Sequence, residues 1–166
     1  MPHLQDLITH QYEAALCMLR DAIEACPPEH WEAKIANGTV RWAAYHALFF
    51  ADVYLSKSLD DFEQRPLHDV GGTELSPEPA VGLPRDQTLE LLLQVRDRVR
   101  SVLASETDAD LAAPDGFGRG LTRAEMHVYN VRHLQHHAAS IAATVRRLCP
   151  DLPHNAMPWI GSGWRE

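Results

Sequence analysis

Three of the ten histidines in this 166-residue chain lie within one short segment, His133-Leu134-Gln135-His136-His137. Residues four apart on a helix differ by about 40° around the axis and about 6 Å along it, so the imidazoles of His133 and His137 can meet at one ion. His136 follows His133 by three residues, and spacing alone does not exclude it. The helical wheel separates the three, because it places His137 at the edge of the apolar face with His133 just beyond, and turns His136 away. Such a pair is also common on solvent-exposed helices, so a metal site needs a third ligand.

His46 is the best candidate for that third ligand. It lies in the middle of another predicted helix, beside Trp42, Phe49 and Phe50. A histidine in these surroundings is either a buried, hydrogen-bonded imidazole or a metal ligand. The residues alone leave both possibilities open.

The elements that carry these histidines have helical periodicity, and strand signals are nearly absent. Four helices are predicted, approximately over Leu4–Ala25, Val40–Ser58, Asp86–Ser105 and Arg123–Leu148. Four helices of this length predict an all-α four-helix bundle. We expect a single domain over residues 1–166, with a long connection, Leu59–Leu83, between the second and third helices. An irregular C-terminal arm, residues 150–166, is expected to pack across the bundle with Trp159 and Trp164.

Two of the predicted helices resemble those of a known family. The segment His133-Leu134-Gln135-His136-His137-Ala138-Ala139-Ser140-Ile141 is similar to the C-terminal motif of the DinB/YfiT-like superfamily, and Arg41–Asp52 resembles its second helix. The resemblance implies a bundle that is a mirror variant of the up-and-down topology. It also implies a divalent metal held by His46, His133 and His137. Members commonly have a Gln near the end of the motif, where this chain has Ser140.

A site of three histidines has a definite chemistry. Three neutral imidazoles leave a divalent ion with open coordination positions, at which water or a thiol loses its proton more readily. Zinc is the first choice for these ligands, and nickel and Fe(II) also suit imidazole. Free imidazole titrates near pH 6.5, so metal affinity is predicted to fall below about pH 6.

The function expected from this site is a metal-dependent enzyme. The resembled superfamily includes thiol-dependent transferases and isomerases that act with low-molecular-weight thiols, so a thiol or a water is expected to be activated for transfer or hydrolysis on a small electrophilic substrate. The sequence shows no dedicated general base beside the three histidines. A non-catalytic metal-binding or interaction bundle is therefore the alternative, and a bundle without metal is a third.

Composition excludes several other classes of function. The chain is 45% hydrophobic and 23% charged, as expected for a globular protein, and its net charge of −8 disfavours binding to nucleic acid. Its three cysteines, Cys17, Cys26 and Cys149, are odd in number and widely separated, which argues against disulfides and indicates a cytoplasmic protein. No apolar run is long enough to span a membrane.

The second predicted helix is apolar nearly all round, which indicates burial on more than one side. Either it forms part of a homodimer interface together with the Trp-containing arm, or the Leu59–Leu83 connection and the arm cover it. Both remain open, and a homodimer is our working expectation.

The remaining polar residues receive simpler interpretations. His127 is expected to pack or to cap, and the other histidines are expected to be solvated: His3, His10, His30, His68 and His154. Asn130 lies one turn before His133 and either supports the metal site or is a polar residue at the bundle edge. The segment Gly116–Gly120 superficially resembles a phosphate loop, but it follows no strand and lacks the lysine, so it is interpreted as a lead-in to the fourth helix.

Overall fold

The computed structural model describes residues 3–35, 38–68 and 82–166, and the chain there is mainly helical. Its α-helices are α1 (Leu4–Ala25), α2 (Val40–Val53), α3 (Arg85–Ser105), α4 (Asp108–Ala112) and α5 (Arg123–Leu148). Both α1 and α2 pack against α3 and α5, so the four long helices enclose one apolar core. The prediction of an all-α bundle is therefore confirmed. Two short strands, β1 (Lys34–Ile35) and β2 (Gly38–Thr39), pair antiparallel just before α2.

Side-chain caps fix where the two histidine-bearing helices begin. The Thr39 hydroxyl accepts the backbone N–H of Trp42 at 3.2 Å, which starts α2 at Val40. At α5, the Thr122 hydroxyl accepts the N–H of Glu125 at 3.2 Å, and the Glu125 carboxylate accepts the N–H of Thr122 at 2.8 Å. This reciprocal pair is a capping box, and its sequence pattern is a Thr followed three residues later by a Glu. The caps thus set where each helix begins, and the helical period then sets the angles between its histidines.

The second helix ends at Val53, five residues earlier than the predicted end at Ser58. The cause is Arg123 of α5, whose side chain is buried. Its guanidinium donates to the carbonyl oxygens of Tyr54, Leu55 and Ser56 at 2.7–2.9 Å. These carbonyls are thus satisfied by a side chain instead of by a further helical turn. The short α4 was also not predicted, because five residues are too few to show a helical period.

The apolar second face of α2 is covered by the chain itself. Every α2 residue except Arg41 and Phe50 is buried. The Phe49 ring lies 5.5 Å from the Phe62 ring and 5.4 Å from the His68 ring, so the start of the connection packs on this helix. Residues 69–81 of the predicted connection lie outside the described residues. The covering explains the composition of α2 within one chain, and the homodimer remains a prediction.

His68 was predicted to be solvated, and that prediction is wrong. It is buried, and its Nε2 lies 3.0 Å from a carboxylate oxygen of Asp52, which is fully buried in α2. Arg98 of α3 donates to the same carboxylate at 2.7 Å, and Arg65 pairs with it as well. A buried carboxylate needs such partners, and recruiting them draws the 62–68 segment onto the bundle.

The C-terminal arm lies along α1. The N–H of Gly163 donates to the His10 carbonyl at 2.9 Å, and the Trp164 ring lies between the guanidinium groups of Arg20 and Arg96, at 4.8 and 4.7 Å. Trp159, the other tryptophan of the arm, is 76% exposed. Among the helices formed by the described residues, none combines the length and the apolar character needed to cross a bilayer.

Candidate metal centre

Helices α2 and α5 bring three imidazoles to one point. His46 comes from the middle of α2, and His133 and His137 come from successive turns of α5. The His46 ring centroid lies 5.3 Å from that of His133 and 5.0 Å from that of His137. The Nε2 atoms of His133 and His137 are 3.1 Å apart, and one nitrogen from each of the three rings lies within 4.8 Å of the others.

A buried hydrogen bond joins the two helices next to this point. Asn130 Nδ2 donates to the carbonyl oxygen of Ala51 at 2.9 Å, one turn before His133 on α5. Asn130 is completely buried, which excludes the second of the two alternatives left open by the sequence, a polar residue at the bundle edge. It does not hydrogen-bond to any of the three histidines either. Its contribution is to fix α2 against α5, and with it the distance between His46 and the α5 pair.

The three imidazoles are neutral at neutral pH. Burial lowers the pKa of His46 to about 4. Burial, and then the charges of neighbouring histidines, lowers the pKa of His133 to about 4 and that of His137 to about 3. Neutral imidazole is the form that binds a metal ion, so burial prepares these rings as ligands.

The nitrogen atoms of the cluster also fit a metal ion. Nδ1 of His46 and Nδ1 of His133 are buried and have no hydrogen-bond partner. Leaving buried imidazole nitrogens unpaired costs free energy, and so does bringing three lone-pair donors together without an acceptor. A divalent cation at the common point of the three rings would accept a lone pair from each ring. It would thereby remove the cost of holding three lone-pair donors together without an acceptor.

The described residues supply no fourth ligand: within 3–35, 38–68 and 82–166, no cysteine or carboxylate joins the three histidines. The histidines instead line a cavity of about 410 Å³. Its other walls are largely aromatic, formed by Trp42, Phe50, Tyr54, Arg119, Tyr129 and His136. A three-ligand centre on a cavity is the arrangement of sites that bind an exchangeable ligand.

His136 takes a different position from the other two α5 histidines. It is exposed, and its ring contacts the edge of the His137 ring with centroids 5.2 Å apart. It does not belong to the group of nitrogens within 4.8 Å of one another. The structure therefore brings together His46, His133 and His137 and leaves His136 at the wall of the cavity.

The cavity itself was not predicted from the sequence. Trp42 and Phe50, four residues before and after His46, were placed beside it on the helix, and the structure shows that they line the cavity. Their rings lie 4.7 Å from the His46 ring. No sequence pattern predicts that Arg119 lines the cavity. Its position depends on how the Gly116–Gly120 segment folds back against Tyr54 and Tyr129.

Cys17 and His127 both have structural roles. Cys17 is buried beneath the C-terminal arm, and burial raises the pKa of its thiol, which opposes a nucleophilic role. His127 is fully buried between Tyr12 and Glu106, at 3.1 Å from the Tyr12 hydroxyl and 2.8 Å from the Glu106 carboxylate. His127 therefore packs in the core, one of the two roles expected from the sequence.

Comparison with known proteins gives one family. The family model of the DinB superfamily matches residues 11–141. This stretch includes all three histidines of the cluster and the whole of α2 and α3. No curated protein and no solved structure shows a significant match to the chain.

Proposed function

Because the chain belongs to the DinB superfamily, we propose that it binds one divalent transition-metal ion through His46, His133 and His137 and acts as a metal-dependent enzyme on a small electrophilic substrate. The observation that carries the proposal is the group of three neutral imidazoles on the wall of a cavity of about 410 Å³. Catalytic zinc sites keep an open position in this way, whereas structural sites close with a fourth protein ligand. Zinc is the preferred ion, and nickel or Fe(II) would also suit the ligands.

When bound, such an ion supplies a Lewis acid that activates a water or a low-molecular-weight thiol. The chain's own residues supply the surroundings. The rings of Trp42, Phe50 and Tyr54 exclude bulk water from one side of the histidines, which strengthens electrostatic interactions in the cavity. No carboxylate lines the cavity within the described part of the chain, so no aspartate or glutamate is placed as a general base. A thiol suits these surroundings. Its ordinary pKa is near 8.5, below that of water, so it needs less assistance from a general base to lose its proton.

A non-catalytic metal-binding bundle is the alternative, and one observation favours it. The three candidate ligands come from two helices, so a bound ion would join α2 to α5. An ion held only in the folded state stabilises that state by mass action. Under this alternative the ion strengthens the bundle and the cavity binds no exchangeable ligand.

The test is metal content followed by cobalt spectroscopy. Protein purified without an affinity tag or added metal should contain about one divalent ion per chain by elemental analysis. After replacement by Co(II), a small thiol should produce a thiolate charge-transfer band that saturates with thiol concentration. No ion in the purified protein and no binding of added Co(II) or Zn(II) would refute the proposal.

The same spectra separate the two candidates. A Co(II) spectrum that responds to azide or a hydroxamate but to no thiol would leave hydrolysis as the reaction. A Co(II) spectrum that responds to none of these small ligands would favour the non-catalytic bundle.

A further inference from the structure

Arg119 is brought to the mouth of the histidine cavity by a shaped loop. The Asp115 carboxylate is buried and accepts the backbone N–H groups of Phe117 and Leu121, the latter at 2.9 Å. Gly116 and Gly118 take positive φ angles of 76° and 69°, which favour glycine. The Gly116–Gly120 loop thus has a defined turn, and it presents one cationic side chain, that of Arg119.

The guanidinium of Arg119 is held by aromatic rings. It lies 4.8 Å from the Tyr129 ring centroid and 5.2 Å from that of Tyr54, and it donates to the Tyr54 hydroxyl at 2.8 Å. The Tyr54 ring also contacts the His133 ring, with centroids 6.4 Å apart. One tyrosine therefore touches both the arginine and the candidate metal centre, so a small molecule can reach both.

Most arginines of this acidic chain are used differently. In the described part of the chain, eight of them pair with a carboxylate: Arg20, Arg41, Arg65, Arg96, Arg98, Arg100, Arg123 and Arg165. Within residues 3–35, 38–68 and 82–166, no carboxylate forms an ion pair with Arg119. A guanidinium has five N–H donors, and stacking on aromatic rings leaves its edge available for a planar anion.

We propose that Arg119 forms a binding subsite for a carboxylate of the small molecule that occupies the histidine cavity. The subsite deepens the function proposed above and rests on it, since the other end of the same molecule would face His46, His133 and His137. A carboxylate matches the guanidinium fork with two parallel hydrogen bonds. Arg119 is exposed, so water screens part of the charge attraction and the two hydrogen bonds carry much of the preference. The substrate or thiol is therefore anionic, and neutral analogues of the same size bind more weakly.

The test compares matched anionic and neutral probes on the Co(II)-loaded protein. The first pair is 3-mercaptopropionate and 2-mercaptoethanol. The second pair is succinic monohydroxamic acid and propionohydroxamic acid. Because these probes carry a hydroxamate, this comparison does not depend on thiol binding. The wild-type protein should bind the anionic member of a pair about tenfold more tightly, the size of one charge-assisted hydrogen-bonded contact.

Three variants identify the source of that preference. Arg119→Gln should abolish it while leaving Co(II) content and the affinity for the neutral probe unchanged. Arg119→Lys should retain part of it, because the charge remains but the planar fork is lost. Arg147→Gln removes the same charge from an exposed site about 15 Å along α5 from His137, and it should retain the full preference. Circular dichroism and thermal melting check that each variant folds.

The outcomes separate the subsite from the proposed function. Failure to bind Co(II) would refute the metal centre itself. Suppose that the protein binds Co(II) and binds both members of each probe pair with equal affinity. That result would refute the subsite but not the metal centre. Preservation of the anion preference in Arg119→Gln would also refute it, and would show that Arg119 only clamps Tyr54 and Tyr129. No response to either pair would refute the open cavity on which the subsite depends.

Discussion

The direction of each imidazole decides which histidine can serve as a ligand. Nitrogens of His46, His133 and His137 converge, whereas His136 is exposed on the cavity wall. Single replacements of these three residues by Ala should each lower metal occupancy severely, because two imidazoles hold a divalent ion far more weakly than three. His136→Ala is the matched control and should retain about one ion per chain. Elemental analysis after dialysis measures the occupancy.

That prediction depends on the rotation of α5 and on its packing against α2. Loss of metal from His136→Ala together with full occupancy in His137→Ala would contradict it. Thermal melting of the metal-free variants is a useful companion measurement. It separates loss of a ligand from loss of the fold, since the imidazoles also fill space between the two helices.

The pH dependence of metal binding also belongs to these residues. Burial lowers the pKa of His46 to about 4, and burial with neighbouring histidine charges lowers that of His137 to about 3. The ordinary value is near 6.5, so protons compete for the folded site at lower pH than for free imidazole. The folded protein should therefore keep its metal below about pH 6, a lower limit than free imidazole would give. Dialysis at about pH 7.5, 6.0 and 5.0, followed by elemental analysis, measures this.

The lowered pKa values of these histidines also make the free energy of unfolding depend on pH. Between the ordinary pKa and the lowered folded value, the unfolded chain binds protons that the folded chain does not. The free energy of unfolding of the metal-free protein should thus fall as pH falls from about 6.5 toward about 4. Circular dichroism in the same samples shows whether the protein is still folded. Release of metal near pH 6 from a fully folded protein would contradict the prediction that the folded site keeps its metal below that pH.

At the scale of elements, the loop before α5 depends on two glycines for different reasons. A Cβ at Gly116 would lie 1.8 Å from the carbonyl oxygen of Lys57, whereas a Cβ at Gly118 would meet nothing within 4 Å. Both have positive φ, so replacement by Ala costs about 1 kcal/mol at either position. Gly116→Ala must also force the loop away from the segment after α2. We expect it to cost about 3 kcal/mol or more in total.

Urea unfolding of Gly116→Ala and Gly118→Ala measures that difference, and an unchanged denaturant slope shows that both values refer to the same transition. Equal stability of the two variants would show that the Lys57 carbonyl can move away from the added Cβ at little cost in stability. If Gly116→Ala folds but loses the anion preference assigned to Arg119, the position of the loop also controls the subsite.

At the scale of the whole molecule, the open prediction is the homodimer. The interface expected on α2 is largely covered by the chain's own residues 62–68, and the exposed apolar side chain that remains in the C-terminal arm is Trp159. Light scattering at micromolar concentration should give about twice the chain mass of 18.6 kDa. Trp159→Ser should shift the mass toward one chain. A wild-type mass of one chain would contradict the prediction, and a crystal contact alone would not establish it.

The sequence by itself determined three of the four long helices and the candidate pair of ligands on α5. Periodicity gave α1, α3 and α5 to within one residue, and the capping box at Thr122 fixed the start of α5. His133 and His137 could be paired from their spacing, because the geometry of a helix is local and regular. The same regularity turned His136 away from them. Each of these features depends on residues a few positions apart.

The tertiary structure alone decided where α2 ends and what surrounds the histidines. Arg123 ends α2 by binding carbonyl oxygens more than sixty residues away in sequence. Asp52 recruits His68 and Arg98 from two other segments, and Arg119 reaches the cavity by folding back onto Tyr54. A buried charge takes its partners from whatever the packing brings near, and no local pattern records that choice. The physical reason is that these contacts join distant residues, whereas helical periods and caps are properties of neighbours.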